Sequence, residues 1–280
     1  MYSNPITSCL WFDGQAKEAA SFYSTIFEKS IITAENPMVV TFELNGTKFM
    51  GLNGGPMFKI NPSISFFVTC GTIVEVDAVW EKLIEDGKAL MPIANYPWSE
   101  RYGWVQDKFG LTWQVSIATD GENQQKIRPS FLFTHQQFGR AEEAINFYTK
   151  VFNGSTIDML FKYPEGDVNA GKVMYSEFQL NQQPFIAMDG PGVHEYSFNE
   201  GVSLVINCET QAEIDYYWDK LTSDGGQESM CGWLRDRFGV SWQVVPSALG
   251  KLMSNPEKAG RVMQAVMKMK KFDIDILKNA

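Results

Sequence analysis

The chain has 280 residues, 44% hydrophobic and 20% charged, with a net charge of -9 at pH 7, which is enough material for two soluble domains, each burying its own core. That acidic balance argues against nucleic acid, which needs a basic face. Since no run of about eighteen apolar residues and no basic-then-apolar leader is visible, a cytoplasmic protein without membrane contact is expected.

In chain order, residues 6–12 read as a strand, and Asp13-Gly14-Gln15 as the turn into a helix over 16–27. Ala19, Phe22, Tyr23 and Ile26 recur there at helical spacing, giving one buried stripe. Strands follow at 38–44 and 48–53, then a third at 64–70 that leads into a second helix with Val76, Val79, Trp80 and Leu83 on one side. Asp86-Gly87 supplies its left-handed stop. Gly103-Trp104-Val105-Gln106-Asp107-Lys108-Phe109-Gly110-Leu111-Thr112-Trp113-Gln114-Val115 then reads as a β-hairpin turning on Asp-Lys-Phe-Gly.

All of this recurs. A strand from Phe131, a helix with Ala144, Phe147, Tyr148 and Val151, strands at 173–180 and 184–189, a strand at 202–208, and a helix with Ile214, Tyr217, Trp218 and Leu221 repeat the order. Gly232-Trp233-Leu234-Arg235-Asp236-Arg237-Phe238-Gly239-Val240-Ser241-Trp242-Gln243-Val244 matches the first hairpin with like-for-like substitutions. The result is four β-α-β-β-β modules in an α+β fold, divided as 1–118, a polar linker at 119–129, 130–250, and a tail at 251–280. The second copy lacks the stretch corresponding to 92–101. In the tail, Ser254-Asn255-Pro256-Glu257 predicts a helix start, with the helix running to about Met269 and docking by its apolar stripe; a membrane-surface or partner helix is the other reading. Cys9, Cys70, Cys208 and Cys231 lack C-x-x-C spacing and read as buried thiols.

Paired modules with Phe-Tyr in the first helix and an Asp-x-x-Gly hairpin resemble the vicinal oxygen chelate superfamily, which includes glyoxalase I, extradiol dioxygenases and bleomycin-resistance proteins. The Leu-Trp-Phe-Asp-Gly-Gln-Ala opening at 10–16, both hairpins, and Asn255-Pro256-Glu257-Lys258-Ala259 with Met269-Lys270-Lys271 are similar to the PhnB-like family, labelled 3-demethylubiquinone 3-methyltransferase domain. The resemblance implies tandem glyoxalase-like domains, in which each pair of modules curls a sheet around a cavity. It also implies four inward positions where metal-using members carry ligands. Carried over by spacing, these are Ser8, Gly51, Ser63 or Ser65, and Gln114 in the first copy, and Phe133, Ala187, Gly201 or Ser203, and Gln243 in the second. None is a carboxylate or imidazole, so no metal and no other cofactor is expected.

The first cavity is expected to gather Ser8, Asn53, Ser65 and Gln114 as a neutral hydrogen-bonding site, and the second to use Ser203 and Gln243. Asp189 replaces Asn53 in the second copy. With His135, placed two residues beyond Phe133 on the same inward face, it forms a candidate acid/base pair; His194 lies in a Gly-Pro-Gly loop. An alternative role for the inward Ser and Gln is to satisfy one another or buried backbone. Trp113 and Trp242 have the opposite parity to Gln114 and Gln243 and should pack under helices; Trp104 and Trp233 are unassigned. The stretch 51–56 is glycine-rich but does not link a strand to a helix, so no methyl-donor motif is present. Three readings follow. The first is a metal-free protein that binds a small molecule, as a monomer or weak homodimer. The second is an enzyme, either a lyase, isomerase or hydrolase using Asp189 and His135 or the labelled methyltransferase. The third is a pseudo-dimer with a protein-binding surface.

Overall fold

Alternating apolar positions and Gly-bearing turns fold each module into a strand, a helix and three further strands, as seen in a computed structural model that describes residues 5–118 and 126–280. The first module is β1 (Thr7–Phe12), α1 (Ala16–Ser24), β2 (Ser30–Glu35), β3 (Val39–Leu44) and β4 (Thr47–Asn53). The second is β5 (Ile64–Cys70), α2 (Ile73–Leu83), β6 (Lys88–Tyr96), β7 (Ser99–Gln106) and β8 (Thr112–Ile117). The third comprises β9 (Lys126–Phe133), α3 (Ala141–Val151), β10 (Thr156–Lys162), β11 (Val173–Leu180) and β12 (Gln183–Asp189). The fourth comprises β13 (Val202–Cys208), α4 (Gln211–Thr222), β14 (Gln227–Glu228), β15 (Trp233–Arg235) and β16 (Ser241–Pro246).

The modules pair across the duplication rather than within it. One eight-stranded sheet runs β14-β15-β16-β13-β1-β4-β3-β2, joining the fourth module to the first, and the other runs β10-β11-β12-β9-β5-β8-β7-β6, joining the third to the second. Antiparallel seams close both: Thr7 to Leu10 of β1 pair with Val205 to Val202 of β13, and Ile64 to Thr69 of β5 pair with Phe131 to Lys126 of β9. Of the expected linker at 119–129, residues 119–125 lie outside the described residues, and 126–129 begin β9.

The helices α1 to α4 cover one face of each sheet. Gly51 on β4 admits α1 closely, since a Cβ there would stand 2.9 Å from the Cβ of Ala16. Trp113 and Trp242 are fully buried on this face; Trp113 lies 5.2 Å from Tyr23 and Trp242 5.5 Å from Tyr148, ring to ring.

A buried carboxylate ties each sequence half together. Asp107 Oδ2 accepts from the Tyr23 hydroxyl at 2.9 Å and from Trp113 Nε1 at 2.8 Å, while Oδ1 accepts from the backbone N–H of Phe109 and Leu111. Asp236 repeats the pattern with Tyr148 at 2.7 Å, Trp242 at 2.8 Å, and the N–H of Phe238 and Val240. Gly110 (φ 88°) and Gly239 (φ 91°) take the left-handed conformation that closes the turn around each carboxylate. Tyr23 sits on α1 of one sheet and Asp107 in the β7–β8 turn of the other, so the bond locks the sheets back to back.

The tail departs from the single helix expected from 256 to 269. Instead α5 (Leu249–Met253), α6 (Ala259–Val266) and α7 (Ile274–Asn279) form, because Ser254 ends α5 and Asn255 Oδ1 accepts from the Glu257 N–H in a turn. Val262, Val266, Phe272 and Leu277 are buried against the chain itself.

Burial pushes the Asp107 carboxyl up from 3.8 to about 6, against the pull of Trp113, Tyr23 and two backbone donors. The native state therefore favours the protonated form relative to the unfolded chain. This contribution is complete below about pH 4 and is lost as pH rises to about 6. The unfolding free energy of the wild type minus that of Asp107→Asn should shrink over that window and stay constant above it. Tyr23→Phe and Tyr148→Phe, measured by denaturant unfolding, should each cost about 1–2 kcal/mol.

Candidate functional site

Side chains alternate between the two faces of a strand, so the helix-bearing residues identify the opposite face. Phe66, Val68, Trp113, Val115 and Val105 pack in the main core. Their neighbours Phe67, Gln114 and Trp104 therefore point to the helix-free face of the second sheet. Strand register sets Trp104 beside Gln114, Gln114 beside Phe67, and Phe67 beside Arg128 in one row across β7, β8, β5 and β9. Phe67, Tyr102 and Ile186 form a second buried cluster on this face, with Met91, Tyr96, Trp104, Tyr175 and Met188 around it. These residues are buried on a face that carries none of the four module helices, sheltered by Met91, Tyr96, Trp104, Tyr175 and Met188, and this sheltered face is called the groove below.

Polar groups in the groove are ordered. Tyr102 donates from its hydroxyl to Gln114 Oε1 at 2.7 Å, and Gln114 Nε2 donates to Ser65 Oγ at 2.8 Å and to Ser130 Oγ at 3.4 Å. Arg128 pairs with Glu177 at 2.8 Å, the Tyr175 hydroxyl donates to the same carboxylate, and the guanidinium lies 5.4 Å from the Phe67 ring centre. Burial raises the Tyr102 and Tyr175 phenols, holding both as donors at neutral pH. Two buried donors, Trp104 Nε1 and Arg128 Nε, have no partner among the described residues, an expensive arrangement unless something else accepts from them.

The first sheet carries the counterpart. Cys9 faces Ser203, and Val205 faces Gln243, whose Nε2 donates to Ser203 Oγ at 2.9 Å. Burial pushes the Cys9 thiol up to about 11, outweighing its hydrogen bonds to Gln243 and Ser203, so it is not a thiolate nucleophile at neutral pH. Trp11 packs edge-on against Phe58 (4.9 Å) and Trp233 (5.9 Å) and donates to the Gly55 carbonyl at 2.7 Å.

The expected site residues are therefore redistributed. Ser65 and Gln114 meet in the second sheet's groove, and Ser203 and Gln243 in the first sheet's. Ser8 lies on the helix-bearing face with Leu10 and Phe12, as do Gly51, Phe133 and Ala187. Asn53 anchors α1: its Oδ1 accepts from the Ala16 N–H at 3.0 Å and its Nδ2 donates to the Pro37 carbonyl. Asp189 does the same for α3, accepting from the N–H of Gly139, Ala141 and Val173 at 2.7, 3.2 and 2.8 Å, with burial raising its pKa against those donors. His135 leaves the strand in an exposed turn at φ 50°, and among the described residues no hydrogen bond joins it to Asp189. It lines a cleft of about 520 Å³ beside the Asp236 turn, which mirrors one of about 550 Å³ beside the Asp107 turn. His194 is half-buried against Tyr196, in reach of the Pro191 carbonyl. Tyr102, Arg128 and Ser130 are not among the expected residues, Trp104 is unassigned there and Cys9 is expected only as a buried thiol; counting across the hairpin from Gln114 finds Trp104 and, two residues before it, Tyr102.

A catalytic metal of the superfamily type needs about three imidazole, thiolate or carboxylate ligands. The inward positions hold Cys9, Met50, Ser203 and Gln243 in one groove and Ser65, Gln114, Ser130 and Ile186 in the other, which do not fit such an ion. Among the described residues no cluster of three His, Cys, Asp or Glu could hold one.

A family model described as 3-demethylubiquinone-9 3-methyltransferase matches twice, at residues 4–116 and 125–245. A Bacillus cereus PhnB protein, described as a putative 3-demethylubiquinone-9 3-methyltransferase, is 38% identical over 41% of this chain and 100% of its own, with a TM-score of 0.39. Glyoxalase I from Zea mays shares 11% identity over 88% of this chain and 94% of its own, with a TM-score of 0.58, a likeness of fold. No curated protein matches the chain.

Asp189→Ala strands three backbone donors and should lower stability by about 3 kcal/mol, whereas His135→Ala should change it by less than about 0.5 kcal/mol. Thermal and denaturant unfolding of the two variants check this; similar effects would mean that the two residues work together.

Proposed function

The chain belongs to the 3-demethylubiquinone-9 3-methyltransferase family, and we propose that it is a metal-free protein that binds a small molecule on the helix-free faces of its sheets. The observation that carries this reading is the second sheet's groove, where an ordered Tyr102–Gln114–Ser65 network lies beside two buried donors that have no partner among the described residues. A neutral hydrogen-bonding surface among aromatic walls suits reversible binding of a compact organic ligand. The alternative is an enzyme. The family description favours methyl transfer by name, but 51–56 follows the hairpin strand β4 and leads into no helix. Asp189 spends its oxygens on backbone, and Cys9 is a protonated thiol, so neither supplies the reactive group that catalysis needs. Because one chain already supplies both halves of each sheet, a monomer or weak homodimer is the proposed state, and the cytoplasm the proposed location.

Native mass spectrometry of the freshly purified chain, paired with elemental analysis, tests the reading. Retention of an organic molecule without a stoichiometric transition metal is expected. One metal per chain would overturn it in favour of a metal-dependent enzyme.

A further inference from the structure

The two grooves descend from the same duplication but have diverged in what surrounds them. β6 has 9 residues, whereas its counterpart β14 has 2, and the extension at 92–101 accounts for the difference. Within it Tyr96 and Trp98 stack at 5.0 Å, and both meet Tyr102 edge-on, at 5.6 and 5.8 Å. Ser99 pins the extension to the sheet through a 3.0 Å bond to Ser116. At the opposite edge, register places Met159 beside Glu177 and Phe161 beside Tyr175, so both face the groove, and Phe161 is 52% exposed. Trp98 is 58% exposed. The second groove thus has aromatic rings on its floor and on both rims, with apolar area open to a partner. The matching rim strand of the first sheet, β2, carries no aromatic residue: Ile31 is its exposed apolar group, and Thr33 is hydrogen-bonded to Thr41 at 2.8 Å.

The polar inventory narrows the ligand further. Trp104 Nε1 and Arg128 Nε are donors only, so what satisfies them must be an acceptor. Arg128 and Glu177 already neutralise each other, so the groove has no spare charge to balance a buried ion. Thr112 and Ser241, at matching positions, have no partner among the described residues in either sheet and do not tell the grooves apart.

Resting on the binding reading above, we propose that the second sheet's groove is the chain's ligand site, and that it takes a planar, uncharged aromatic compound bearing a carbonyl-type acceptor. The Tyr96–Trp98 extension is its rim and Trp104 its selectivity residue. The ring lies among Phe67, Tyr102 and Tyr175, where stacked and edge-on contacts add to simple burial, and the acceptor is held by Trp104 Nε1, which lacks a partner among the described residues.

Calorimetric titration of the full chain, dialysed free of co-purified compounds, with fluorenone, fluorene and fluorenone carboxylate tests this. Fluorenone should bind at one site per chain, more tightly than either of the others. Trp104→Phe should weaken fluorenone about tenfold and leave fluorene unchanged, the size expected for one lost hydrogen bond. Trp98→Ala, at an exposed position, should weaken both, and Trp233→Phe on the first sheet should weaken neither. Equal loss of fluorenone and fluorene in Trp104→Phe, tightest binding of the carboxylate, or two equivalent sites would overturn the proposal. A charged or non-aromatic compound retained by the purified chain would overturn this ligand class and leave the binding reading standing. No retained molecule and no binding of any of the three would overturn both.

Discussion

Two buried carboxylates organise this molecule. Asp107 and Asp236 each accept four hydrogen bonds, two from the backbone of their own turn and two from a Tyr and a Trp. Such a group is costly to bury unless every partner is present, so the knot forms completely or destabilises its surroundings. In each case the Tyr comes from a helix on one sheet, while the Asp and Trp come from the other. The sheets join the two halves of the sequence edge to edge, and the carboxylates join the two sheets back to back. Neither half could separate without breaking a β-seam and exposing the core around a knot.

This arrangement fixes the helix-bearing faces and leaves the opposite faces free to diverge. On the fixed side, the duplicated positions keep their roles despite changes of residue: Asn53 and Asp189 hold the first turns of α1 and α3, and Gly51 and Ala187 occupy the same place on their strands. On the free side, Ser65, Gln114 and Ser130 match Ser203, Gln243 and Cys9, yet the surroundings differ. One groove has gained an aromatic rim and a neutral Arg128–Glu177 pair, while the other has the Trp11–Phe58–Trp233 cluster and a rim strand, β2, without aromatic residues.

Much of this was legible in the sequence. The hairpin carries the knot's Asp, Trp and Gly together within eight residues, so both its recurrence and the burial of Trp113 and Trp242 could be read from local pattern. The pairing of modules across the halves could not, because β1 and β5 have similar apolar patterns and nothing local chooses β13 for one and β9 for the other. Ser8 is assigned to a cavity by spacing carried over from the resemblance, and Asn53 and Asp189 by their polar side chains beside it. A small serine suits a face that a helix approaches closely, and a carboxamide or carboxylate at a strand end suits the exposed N–H groups of a helix start. Gln114 and Gln243 are placed inward by spacing alone, whereas Ser63 or Ser65 and Gly201 or Ser203 stay open in the sequence until strand register puts Ser65 and Ser203 on the helix-free faces. Strands β2 and β10 escaped notice because their outward residues are exposed and break the alternation.

The account's central claim is that the two duplicated grooves are unequal and that the second sheet's is the one that binds. Nitrogen–proton spectra of the chain's eight Trp indoles, recorded with and without fluorenone, test it most directly. The account predicts a downfield shift of the Trp104 indole proton as it acquires an acceptor, with Trp233 unmoved. Movement of Trp233 with Trp104 unchanged would contradict it.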